Sequence, residues 1–133
     1  MRDASAAGEP SRGIRIKRAY EAPADDDGTR VLVERLWPRG LSKERAAVDL
    51  WLKTAAPSHE LRRWFGHDPA KWPEFRRRYR EELRERPDEL DQLRRLAGDG
   101  PLTFVYGAAD TEHNAAVALR EVVEEGQRPA SGE

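Results

Sequence analysis

The chain of 133 residues carries 38% hydrophobic and 37% charged side chains, which fits one domain with a compact core under an ionic surface. Its 24 basic and 25 acidic residues leave a formal net charge of −1, without the basic excess of a strong non-specific nucleic-acid binder. It has no cysteine, which excludes disulfides, thiolate metal sites and a cysteine nucleophile.

Residues 1–12, MRDASAAGEPSR, are small, polar and aperiodic and predict a disordered leader. Residues 126–133, GQRPASGE, predict a disordered tail, so a single domain over 13–125 is expected. No apolar run approaches the roughly 20 residues of a membrane span, and no signal core opens the chain. The expectation is a cytoplasmic protein with no membrane partner.

GIRIKRAYE alternates Ile14 and Ile16 with Arg15 and Lys17, a strand pattern. APADDDG follows as a loop turned by Gly28, with Asp25, Asp26 and Asp27 expected in a solvated turn rather than around a metal. RVLVERLW reads as the second strand, ended by Pro38 and Gly40. The stretch from residue 43 is ambiguous, and VDLWLK at 48–53 is a candidate for a short third strand. Ser58 caps a helix with the apolar stripe Leu61, Trp64 and Phe65, and Gly66 closes it. Asp68-Pro69 is a second start signal, after which Phe75, Tyr79 and Leu83 mark a helix face. Arg76, Arg77, Arg78 and Arg80 are expected on its solvent side, among acidic neighbours. Beyond Pro87, Leu90, Leu93, Leu96 and Ala97 mark another helix, ended by Gly98 and Gly100.

PLTFVYGA is almost wholly apolar and reads as a central strand covered on both faces. A last helix is expected from about His113 to Glu125. Strands separated by helices predict an α/β fold: a small, mostly parallel sheet flanked by helices, helix-rich overall.

In such a sheet ligands gather outside the carboxyl ends of the strands, and two stretches lie there. One is ERLWPRG. Strand alternation puts Val31, Val33 and Arg35 on one face and Leu32, Glu34 and Leu36 on the other. Arg35 and Arg39 offer planar forks for phosphate or carboxylate, and Trp37 a stacking wall. The competing reading is an ion-pair network with no ligand. Arg35 is expected mostly buried, held by a carboxylate or backbone carbonyls, with Asp110 as its partner. The other stretch is YGAADTEHN. There Gly107 turns the chain after Tyr106, and Asp110 or Thr111 caps the helix that follows. His113 and Asn114 lie on its first turn, where an anion is favoured. Plain helix capping is the alternative. His59, His67 and His113 have no metal-ligand spacing, and no P-loop, dinucleotide fingerprint or nucleophile elbow is present, so no metal or cofactor is implied.

Together, RVLVERLWPRG and PLTFVYGAADTEHNAAVALREVV resemble the YeaO-like branch of the family called domain of unknown function 488. The likeness extends over roughly 14–125, through Asp27-Gly28 before Arg30, PS-x-ELR-x-x-F at 57–65 and FRRRYREEL. The resemblance implies a small bacterial α/β domain without an assigned reaction. Glu34 stands where that family usually has Asp, and Ala109 where Lys is frequent.

The residues favour a small anionic ligand, phosphate- or carboxylate-bearing, at the strand ends. Arg35, Trp37, Arg39, Tyr106, Gly107, Asp110 and Asn114 would bind it, and Glu34 with His113 would be the acid/base pair of any hydrolase or transferase activity. The alternative is a nucleic-acid or protein-interaction module with a regulatory role, built on Arg76–Arg80 and the strand-end arginines Arg35 and Arg39.

Overall fold

The structure, a computed structural model, describes residues 14–127. The expected leader, and the expected tail beyond residue 127, lie outside them. The strands are β1 (Ile14–Arg18), β2 (Thr29–Leu32), β3 (Leu50–Trp51) and β4 (Leu102–Tyr106). The α-helices are α1 (Lys43–Ala46), α2 (His59–Phe65), α3 (Trp72–Arg84), α4 (Pro87–Asp99) and α5 (Ala115–Gln127). Helix α5 thus runs past the expected boundary at Glu125.

The sheet has the order β1-β4-β2-β3, and every neighbouring pair is parallel. β4 is central as its apolar run predicts, with Phe104 level with Ile16 on one side and Val31 on the other. Alternation sends Val31, Phe104 and Tyr106 into the main core beneath Phe75, Tyr79, Leu93 and Leu119 from α3, α4 and α5. Leu32 and Val105 point the opposite way, into a smaller core with Leu41 and Ala46, flanked by Trp37 and Trp51.

Local signals set the helix ends. The Ser58 hydroxyl accepts the Leu61 N–H at 3.1 Å, and Gly66 takes the left-handed conformation at φ 54°. α4 runs through Gly98 to Asp99, with Gly100 as its cap.

The acidic turn departs from expectation at one residue. Asp27 is only 1% exposed and accepts from Arg30 Nη1 at 2.7 Å and Lys17 Nζ at 3.1 Å. Burial opposes its charge, but the Ala24 N–H, Lys17 and Arg30 hold the carboxyl below its ordinary value. Arg30, 3% exposed, also donates to the Ala46 carbonyl through Nε and Nη2 at 3.1 and 2.8 Å. The pair thereby ties the β1–β2 loop and α1 to the sheet, while Asp25 and Asp26 remain exposed.

Candidate functional site

β2 leaves the regular ladder after Leu32, although Val33 N–H still donates to the Val105 carbonyl at 3.2 Å. The strict alternation expected through Leu36 stops there, and Glu34 turns toward β4. Its Oε2 accepts the Gly107 N–H at 3.0 Å, and its carbonyl accepts Trp51 Nε1 at 2.6 Å. The ends of ERLWPRG and PLTFVYGA therefore face one another at the carboxyl edge of the sheet.

A cleft of about 480 Å³, its open mouth included, lies against this junction. Glu34, Arg62, His67, His113 and Asn114 supply its polar groups, and Pro57, Phe65, Phe75, Ala108 and Ala115 its apolar wall. Burial raises the Glu34 carboxyl above its ordinary value, against the opposing pull of the Gly107 N–H, Arg62 and His67.

Arg62 reaches the cleft because α2 buries Leu61 and Phe65, and Arg62, next to Leu61, lies on the flank of that buried stripe. Among the described residues, neither its guanidinium nor the His67 ring has a hydrogen-bond or ion-pair partner. His67 has φ 58°, a left-handed conformation unusual for a residue with a side chain, and it follows Gly66 in the same region. His113 Nδ1 meets Asp110 Oδ2 at 2.9 Å, and its ring stands edge-on to Trp72 with centroids 5.4 Å apart. A proton on Nδ1 in that contact leaves Nε2 as an acceptor.

Asp110 does not serve Arg35. Its carboxylate accepts the N–H groups of Glu112 and His113 at 2.9 and 3.0 Å, and with the His113 ring these hold it down at about 2. Nor does it cap α5, which starts later than expected. Asn114 Oδ1 takes that position, accepting the Val117 N–H at 3.1 Å, while Asn114 Nδ2 donates to the Asp110 carbonyl at 2.9 Å.

Arg35 is half-buried, less than expected, and is held by carbonyls alone: Nε donates to Pro57 at 2.8 Å and Nη2 to Ala56 at 3.5 Å. Trp37 packs edge-on to Trp51 and donates to the Leu41 carbonyl at 2.6 Å. Arg39 is exposed, its carbonyl accepting the Tyr20 hydroxyl at 2.8 Å. Tyr106 is buried in the main core. The structure thus brings Glu34, His113 and Asn114 together on the cleft wall, with Gly107 and Asp110 directly behind them. Arg35, Trp37, Arg39 and Tyr106 do not line it.

Arg62 and His67 are the cleft residues that strand-end reasoning misses. The available signal was a histidine wedged between the helix-closing Gly66 and Asp68-Pro69, where the chain must reverse. The arginines of α3 are engaged elsewhere: Arg76 pairs with Glu121 at 2.8 Å, Arg77 and Arg78 with Glu74 at 2.7 and 2.8 Å, and Arg80 with Glu125. Among the described residues no helix is long and apolar enough to cross a membrane, and no cluster of three His, Cys, Asp or Glu side chains could hold a metal ion.

The family model DUF488-N3i, described as the inactive DUF488-N3 subclade, matches residues 13–131. The chain belongs to this DUF488 subclade. It is 41% identical over 106 residues to the uncharacterized protein YeaO of Escherichia coli K12, covering 80% of this chain and 92% of that protein. It is 40% identical over 110 residues to an uncharacterized protein of Mycobacterium tuberculosis H37Rv, covering 83% and 92%. No solved structure matches the chain significantly. The YeaO-like resemblance read from the two strand-end motifs is thereby established.

Proposed function

We propose that this DUF488 protein binds a small anionic ligand, bearing a carboxylate or phosphate, in the cleft between the ends of β2 and β4 and the walls of α2 and α5. The observation that carries this reading is Arg62. Its guanidinium makes no hydrogen bond or ion pair among the described residues, the charge of Glu34 reaching it only across the cleft, and it stands on the wall beside His67 and His113. A planar five-donor fork to which no carboxylate is hydrogen-bonded is suited to one supplied by a ligand. The apolar wall of Phe65 and Ala108 would take the ligand's body.

Binding without turnover fits the remaining chemistry. No hydroxyl or thiol side chain lines the cleft, and the subclade itself is described as inactive. The test is a thermal-shift screen of the full chain against simple carboxylates, sugar phosphates and nucleotides, repeated on Arg62→Met. An anion at 100 times its Kd should stabilise the wild type by about 2.7 kcal/mol. That response should vanish in Arg62→Met while the variant stays folded. A stabilising anion that acts equally on the variant would remove the basis of the reading.

A further inference from the structure

We infer that the ligand of this cleft pairs its anionic head with a neighbouring hydrogen-bond donor, as a hydroxy- or amino-carboxylate does, and that Glu34 receives the donor. This rests on the anion-binding reading above and narrows it to a ligand class. Glu34 Oε2 is engaged by the Gly107 N–H, whereas Oε1 accepts no hydrogen bond from the described residues. The cleft therefore presents a donor-only group, Arg62, and an acceptor-only group, Glu34, each with unfilled capacity.

A ligand that is only an anion would satisfy Arg62 but set a like charge against a partly desolvated carboxylate, which is costly. The groups facing Glu34 offset the cost of burying its charge only in part. Arg62 comes from α2 and His67 from the turn after it, and neither forms an ion pair with Glu34. His113, from the loop before α5, is already paired with Asp110. Tyr79, from α3, gives its hydroxyl to the Ala55 carbonyl. A hydroxyl or ammonium beside the anionic head would satisfy Glu34 while the head satisfies Arg62. A plain anion would instead have to bring a proton to Glu34, so its binding would weaken as pH rises. The upward displacement of the Glu34 carboxyl by burial agrees with a proton being held more readily there than on a free glutamate.

The experiment titrates the full chain, isotopically labelled, with propanoate, lactate and alanine at neutral pH, following the Gly107 and Ala108 amides and the Arg62 side chain by NMR. These three share a carbon skeleton and differ in carrying no donor, a hydroxyl or an ammonium. Lactate or alanine should bind on the order of 10-fold more tightly than propanoate, the effect of one hydrogen bond to a charged acceptor. Glu34→Gln keeps an acceptor for Gly107 but removes the charge. It should shrink that ratio toward one and bind propanoate at least as well as wild type does. Equal affinity for all three acids, or an undiminished ratio in Glu34→Gln, overturns the inference and leaves anion binding standing. Cleft shifts with inorganic phosphate but with none of the three acids do the same. No cleft shifts with phosphate or with any of the three acids would overturn both readings together.

Discussion

The Glu34 carboxylate accepts the Gly107 amide at 3.0 Å, joining the carboxyl ends of β2 and β4 through a side chain rather than the ladder. One hydrogen bond thus does two things. It gives the amide that follows the last residue of β4 a partner, and it commits a carboxylate to the wall of a cleft whose other polar groups are mostly basic.

The pH dependence of stability should show this commitment. A carboxyl raised on folding holds its proton more tightly in the native state, so native stability falls as pH rises through the unfolded and then the folded value. Glu34→Gln removes that penalty. The variant should melt higher than wild type at neutral pH, and the difference should close below the ordinary glutamate value of 4.5. Melting curves across that range, read by circular dichroism, decide it. A variant less stable than wild type at neutral pH would mean that the Gly107 bond outweighs the desolvation of the charge.

The Asp27–Arg30 pair should behave in the opposite sense. Asp27 is depressed on folding, so its contribution is complete above its ordinary value of 3.8 and is lost as pH falls through the folded value. Removing one member leaves the other buried and uncompensated, and Arg30→Met or Asp27→Asn should each cost about 3–5 kcal/mol. The double variant should cost less than the sum, with Lys17 limiting the recovery because it also donates to Asp27. Urea unfolding of the cycle measures the coupling, and strict additivity would show that the two side chains act independently.

Legibility followed the range of the forces involved. The Ser58 cap, the Gly66 stop and the central placement of PLTFVYGA depend on neighbours within a turn or on an unbroken apolar run, and they were readable. Strict alternation carried past Leu32 puts Glu34 on the wrong face, because the ladder ends there and side-chain direction no longer obeys it. Asp27 read as solvated because its immediate neighbours are exposed acids. Its burial comes from Lys17, Arg30 and the Thr103 hydroxyl, which donates to the Asp27 carbonyl at 2.8 Å from 76 residues away. Arg62 looked like any charge on an amphipathic helix. Only the packing of α2 against α3 sets it on the cleft wall that Glu34 shares.

Gly28 should resist replacement. It holds φ +66°, and a Cβ built there would lie 2.2 Å from the Pro101 carbonyl oxygen, which itself accepts the Thr29 N–H. Backbone on both sides prevents easy relief. Gly28→Ala should cost about 2–4 kcal/mol from strain and overpacking together. Near-neutral stability of this variant in urea would show that the β1–β2 loop relaxes at no cost.

Arg35 separates structure from site. Its guanidinium holds the Ala56 and Pro57 carbonyls just before α2, a segment also held by Arg86 at Ala56 and by the Tyr79 hydroxyl at Ala55. Arg35→Met keeps much of the volume but removes every donor, leaving the Pro57 carbonyl without its charged partner. The expected loss is about 1.5–3 kcal/mol, the range for hydrogen bonds that involve a charged group. Because Arg35 does not line the cleft, stabilisation by an anion that binds wild type should survive in the folded variant. Arg62→Met should show the reverse, with small loss of stability and no anion response. Parallel melting curves of the two variants, with and without that anion, make the comparison. Loss of the anion response in Arg35→Met at full fold would return Arg35 to the site and require the cleft to be redrawn around the loop at 34–40.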